Sequence, residues 1–237
     1  MNNPTSSAAK FDSARAQEYE QQSRIALAGY EACHELAACL LGAALGDTPQ
    51  PHVLVAGAGG TATEITTCAR LHPGWHYTAV DPSAPMLNIA QARIAQANLS
   101  GRTALVHGYV DDLNDAPVFD AATLIGVLHH LPGQDAKQHI LASIARRLKP
   151  GAPFILAGNH YAYADHPLLL SAWGERWRMH GADQDEIQAK LGKILQGADP
   201  PESEQTVFDL LAQAGFVRPQ RFFSSLFWGA WICFRSD

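Results

Sequence analysis

The chain has 237 residues, 47% of them hydrophobic, and a formal net charge of −6. That length allows one large domain or a domain with an appended cap, and the apolar share can fill a sizeable core. Lys and Arg are scattered without a basic stripe, which disfavours a nucleic-acid backbone as the main partner and leaves only a small RNA-binding patch open. Four scattered cysteines make no CxxC pair, Met1–Lys10 lacks an apolar leader core, and no apolar run reaches about 18 residues. Disulfides, structural zinc, secretion and membrane spanning are all disfavoured, and a cytoplasmic protein is expected.

Met1–Lys10, rich in Asn, Ser and Ala, reads as a disordered tail. Phe11–Arg24 carries helix formers and a charged face, with Phe11, Ala14 and Tyr19 placed inward. Ile25–Leu45 reads as a longer Ala- and Leu-rich helix ending near Gly46, followed by Pro49 and Pro51. Residues 11–46 are expected to form a helical lid over the binding edge of the domain that fills 47–237.

From residue 52 strands and helices alternate. Val53–Ala56 is a short continuous apolar run, as in a strand buried on both faces of a parallel sheet. It runs into Gly57-Ala58-Gly59-Gly60, and a helix is expected over Thr61–Leu71. Trp75–Val80 reads as the second strand, ending at Asp81, and Ala84–Ala97 as a helix capped by Ser83. Thr103–Gly108 and Asp120–Val127 read as the third and fourth strands. Asp135–Leu148 reads as a helix with Ile140, Leu141, Ile144 and Leu148 on one face, and Pro153–Gly158 as the fifth strand. The rhythm breaks after residue 160. Tyr161–Gln196 is expected to be helical, within a cap insertion over about 161–201. A helix over Glu204–Ala214 precedes two runs, Gln220–Ser224 and Leu226–Phe234, which should pair as an antiparallel hairpin. The fold class is α/β: a doubly wound, seven-stranded, mostly parallel sheet.

Ligands of such sheets bind beyond the carboxyl ends of the strands, where the strand order reverses. The Gly57–Gly60 turn lets a ligand approach backbone closely, and the following helix offers free N–H groups. Asp81 lies 22 residues past Gly59 at a strand tip, suited to accept two ribose hydroxyls; capping of the next helix is the alternative. Met86, one turn into that helix, can pack a thioether on an adenine ring or simply fill core.

These segments resemble the class I S-adenosylmethionine (SAM)-dependent methyltransferases. The matching stretches are Val53 to Gly59, Val80 to Leu87, Phe119-Asp120 with Leu128 to Leu131, and Leu148 to Gly151. The resemblance implies that Gly57, Ala58 and Gly59 face the methionine part of SAM. Asp81 and Pro82 would lie at the ribose, Met86 at the adenine, with Tyr109, Val110 and Asp111 after the third strand and Ile125 and Gly126 after the fourth. S-adenosylhomocysteine (SAH) would be the product. Val55 stands where the family usually has an acid, so the cofactor's amine needs another contact. The lead-in to Tyr30 and the tail from Trp173 to Phe234 look like the carboxy-SAM synthase group and its methyltransferase relatives. The tail match includes Arg178 to Gly181, Glu186-Ile187 and Ala214 to Phe216. By that likeness Tyr30 reaches over the cofactor and Arg178 contacts an extra carboxylate, although Ile125 replaces the group's asparagine.

Methyl transfer needs alignment and desolvation, and a base only if the nucleophile carries a proton that must leave. His129, His130 and His160 sit near strand ends and have the right chemistry for one; His130 and His160 are the catalytic candidates. Arg178, Tyr161 and Trp173 are the substrate-binding candidates. No HxxxH or HExxH spacing falls on a helix, so no metal is expected. The leading expectation is a methyltransferase acting on a small, acidic molecule. Carboxy-SAM formation in support of tRNA wobble-uridine modification, and a non-catalytic cofactor-binding module, are the alternatives. A homodimer stays open.

Overall fold

The computed structural model describes residues 13–237, with side chains from Glu20 onward. The expected 1–10 tail, Phe11, and the inward placing of Ala14 and Tyr19 lie outside what is described. Two helices lead in: α1 (Ser13–Ala26) and α2 (Tyr30–Leu45). The sequence pattern joins Ile25 to the second helix; the structure breaks it at Gly29, whose φ of +82° is left-handed. Glycine enters that conformation without the Cβ penalty.

The alternating region gives β1 (His52–Ala56), α3 (Thr63–Leu71), β2 (His76–Asp81), α4 (Ala84–Gln96), β3 (Thr103–His107), β4 (Ala121–Ile125), α5 (Gly133–Arg147) and β5 (Pro153–Asn159). The remainder gives α6 (Pro167–Met179), α7 (Gln184–Gly197), α8 (Glu204–Gln213), β6 (Phe216–Ser225) and β7 (Trp228–Arg235). The seven strands form one sheet in the order β3-β2-β1-β4-β5-β7-β6. β1 to β5 pair in parallel, while β7 runs antiparallel to both β5 and β6. The C-terminal hairpin is therefore present, and its first strand starts at Phe216, ahead of the expected Gln220.

The apolar run of β1 explains its central place. Val53 and Val55 enter the core shared with α2, α3 and α4, while Leu54 and Ala56 enter the core shared with α5 and α8. Successive residues of a strand face opposite ways, so a strand covered by helices on both sides must be apolar throughout. β4 stops at Ile125 instead of running to Val127, because Gly126 turns at φ +77° into a short 3₁₀ turn over Leu128–His130. The expected 161–196 helix is two helices, separated at Gly181 (φ +91°).

Candidate active site

The sheet order reverses between β1 and β4, and the carboxyl end of β1 opens there. Gly57 adopts φ +70° and donates its N–H to the Val80 carbonyl at 2.8 Å. Gly59 donates its N–H to Asp81 Oδ2 at 2.9 Å, and Ser83 N–H donates to Asp81 Oδ1 at 2.8 Å. A Cβ on Gly59 would come to 2.5 Å from Asp81 Oδ2 and 2.6 Å from Met86 Cβ. Only glycine lets the loop close on this carboxylate. Burial raises the Asp81 pKa, opposed by the two N–H bonds, which favour its charged form. Ser83 caps α4 through its hydroxyl, accepting from Met86 N–H, as its position before the helix predicts. α3 starts at Thr63 rather than Thr61, because Ala62 sits at φ +48°.

Over this loop lies a cavity of about 730 Å³. Gly57, Gly59, Thr61, Ile125 and Gly126 line its strand-end side, and His129, His130, Asn159 and Trp228 continue that side across the sheet. Tyr30 and His34 of α2 close one flank. Tyr163, Trp173, Trp177, Lys190 and Lys193 form the far wall, with Gln22 and Ser23 of α1. Glu64 is the one carboxylate among the described residues lining the cavity.

Three helices cover it as a bonded unit. The last carbonyls of a helix have no partner within the helix. Those of α1 are taken by α6: Trp173 Nε1–H donates to Ala26 O at 2.8 Å, and Arg176 donates to Arg24 O and Ile25 O at 3.0 and 3.2 Å. Lys190 on α7 donates to Gln22 Oε1 at 3.2 Å. Asp199, two residues past the end of α7, is fastened to the strand side. Asp199 N–H donates to His129 O at 2.8 Å, and its carboxylate accepts from Gly133 N–H at 2.6 Å and from the buried Lys137 ammonium at 2.9 Å. Lys137 also donates to Leu131 O and Gly133 O. On the opposite flank the Tyr30 hydroxyl shares hydrogen bonds with Thr61 Oγ1 at 2.7 Å and Thr63 Oγ1 at 3.1 Å, joining α2 to the glycine loop.

The histidines separate into two kinds. His129 and His130 both line the cavity, rings 4.3 Å apart. Burial, with His130 and Lys137 nearby, drives the His129 pKa well below its ordinary value, so the ring is neutral. Its Nδ1 accepts from Asn159 N–H at 3.4 Å, which leaves the proton on Nε2. His160 is fully buried behind the cavity. Its Nδ1 bonds Phe227 O at 3.0 Å, its ring meets Trp231 edge-on, and burial lowers its pKa to about 4. It does not line the cavity, so the geometry removes it as a base; a strand-end position in sequence does not say which way the side chain turns.

Arg178 also turns elsewhere. It pairs with Glu175 at 2.5 Å and Gln184 at 2.9 Å on the exposed side of α6, away from the cavity. Trp173 and Trp177, four apart, take the inward face, and Arg178 follows Trp177 by one position, about 100° round the helix. Tyr161 packs on His160 and His166 and is absent from the lining. Of the cofactor candidates, Tyr30, Gly57, Gly59, Ile125 and Gly126 line the cavity. Ala58, Asp81, Pro82 and Met86 belong to the same loop pair without lining it. Val110 is buried in the α5-side core and Tyr109 is exposed. Asp111 bonds His139, Ser143 and Arg146, so its carboxylate is taken up by α5. Sequence reasoning missed Asn159, Trp228, Lys190 and Lys193. For the lysines a signal existed: Lys190, Lys193, Ile194 and Gly197 are spaced as one helical face.

Residues 55–154 match the family model described as a methyltransferase domain. A protein of Synechococcus is 36% identical over 110 residues, covering 45% of this chain and a quarter (25%) of that relative's length. The carboxy-SAM synthase of Aeromonas salmonicida is 26% identical over 182 residues, 75% of this chain and 72% of that protein. Among solved structures, magnesium protoporphyrin IX methyltransferase from Synechocystis, with SAM bound, superimposes at a TM-score of 0.67 and 15% identity, covering 100% of both chains. The chain has the class I methyltransferase fold, and its residues 55–154 match a methyltransferase domain.

Proposed function

We propose that the protein transfers a methyl group from SAM to a small molecule held in the covered cavity. One observation carries this reading: a single cavity joins the glycine loop at the β1–β4 switch point to an aromatic wall, with room for a donor and an acceptor together. The loop fits the cofactor. Gly57 and Gly59 leave backbone where any side chain would intrude, and the Asp81 carboxylate stands beside them for the ribose. Glu64 supplies the negative charge for the cofactor's ammonium that Val55, buried in β1, does not. When bound, SAM supplies a methyl group already activated by the sulfonium. The chain's own part is to align the acceptor and limit its contact with water, and the bonded unit of α1, α6 and α7 stands over the cavity for both. His130 is the base for an acceptor that must lose a proton. His129, neutral with its proton on Nε2, is a donor beside it and not a second base.

The placement of Arg178 favours methyl transfer over carboxy-SAM formation, since no guanidinium reaches the cavity by that route. Calorimetry with SAM and SAH, mass spectrometry of any ligand carried through purification, and SAH release across a panel of small acceptors test the reading. Absence of affinity for both SAM and SAH would sink it. An added carboxyl group on the co-purified ligand would favour the carboxy-SAM alternative.

A further inference from the structure

The cavity carries its charges at two ends. Glu64 sits on α3 beside the glycine loop, whereas Lys190 and Lys193 line the wall made by α7. Lys193 has no hydrogen-bond or ion-pair partner among the described side chains. Lys190 bonds only a neutral amide oxygen, that of Gln22, and lies 4.7 Å over the Trp177 ring. Among the described side chains, two ammonium groups therefore share a wall with no carboxylate to balance them. Trp177 adds a third donor: the residue is 3% exposed and its buried Nε1–H has no partner. Asn159 shows the opposite deficit. Its amide N–H donates to the Tyr163 hydroxyl at 2.7 Å, while its buried Oδ1 receives nothing. Buried polar atoms left unpaired are costly, and a pocket built to hydrogen-bond a ligand leaves such atoms for it. The flat rings of Trp173, Trp177 and Tyr163 fill the space between.

We propose that the methyl acceptor is a flat aromatic acid. Its anionic group binds Lys190, Lys193 and the Trp177 N–H, its ring lies against the tryptophans, and a hydroxyl or amine on it donates to Asn159 Oδ1. This rests on the methyl-transfer reading and assigns the acceptor's chemical class.

The test uses the full chain and two naphthalene dyes, the anionic 1-anilinonaphthalene-8-sulfonate and the neutral N-phenyl-1-naphthylamine. Each is titrated by fluorescence with and without saturating SAH. Thermal melting confirms that the variants are folded. The K190Q/K193Q double variant should bind the sulfonate about tenfold more weakly, the scale of one charge-assisted hydrogen bond lost. It should hold the neutral dye within about twofold, and K190R/K193R should keep the sulfonate affinity. Equal loss for both dyes, no sulfonate binding by the parent chain, or a loss confined to SAH affinity would each overturn the proposal; the last would assign the lysines to the cofactor. Failure of SAH to bind the parent chain would instead overturn methyl transfer, while the titrations without SAH still read the lysine wall.

Discussion

Replacing Gly59 by alanine puts the whole loop to the test with one methyl group. The added Cβ would stand 2.5 Å from Asp81 Oδ2 and 2.6 Å from Met86 Cβ. Neither neighbour can yield freely. The carboxylate is fixed by N–H donors from Gly59 and Ser83, and Met86 Cβ belongs to the first turn of α4. Overpacking of this kind costs about 1–3 kcal/mol, and in a chain of this size each kcal/mol lowers Tm by roughly 2–4 °C. Tm should therefore fall by about 4–8 °C for the midpoint of that range. Relief comes by pushing Asp81 from the Gly59 N–H, with loss of a hydrogen bond to a charged acceptor, about 1.5–3 kcal/mol. SAH affinity should then drop roughly 10- to 100-fold. Gly101→Ala is the control: its Cβ meets nothing within 4 Å, so Tm and affinity should stay near those of the parent. Differential scanning calorimetry and SAH titration read the two effects separately. A folded G59A chain that binds SAH like the parent would falsify the assignment of this loop.

Tyr30→Phe removes the hydroxyl shared with Thr61 and Thr63 and should weaken SAH about three- to tenfold by calorimetry, with Tm lowered by no more than a few degrees. Arg178→Ala removes a surface pair with Glu175 and should leave SAH affinity and turnover within about twofold; a selective loss for a carboxylated ligand would restore its expected role. His160 predicts an acid limit. Its folded pKa of about 4 lies below its ordinary 6.5, so the neutral ring's contribution is complete above pH 6.5 and is lost as pH falls toward 4. The lowered pKa of His129 acts in the same direction. His160→Gln should flatten the fall in denaturant-measured stability between pH 6.5 and 4 by roughly 2 kcal/mol, and an unchanged slope would refute this.

The centre of the sheet was readable because its inner parallel strands are buried on both faces, so β1 and β5 appear as unbroken apolar runs. The glycine loop and Asp81 were readable because they lie in one continuous strand–turn–helix–strand segment. Residues brought in from far along the chain were harder. The spacing of Lys190, Lys193, Ile194 and Gly197 marks one helical face, but that face reaches the cavity only because α7 folds back beside α1, and the docking itself is a tertiary event that the spacing does not encode. Arg178 and His160 failed for a different reason: each sits next to an inward-facing position, and its direction depends on helix phase or strand pleat. For Arg178 the phase was present in the Trp173–Trp177 spacing. For His160, the hydrogen bonds to Phe227 across the terminal hairpin decide the matter.

The bond from Asp199 to the His129 carbonyl has a kinetic meaning. The end of α7 cannot swing outward without releasing the turn that holds His129 and His130, and the Lys137 ammonium would lose its carboxylate in the same movement. Entry of a ligand past that end and the setting of the histidines are thus one event rather than two. On the proposed role of His130 as base, a chain released at that end would carry the base displaced, so proton removal would be coupled to the seating of α7 beside the acceptor.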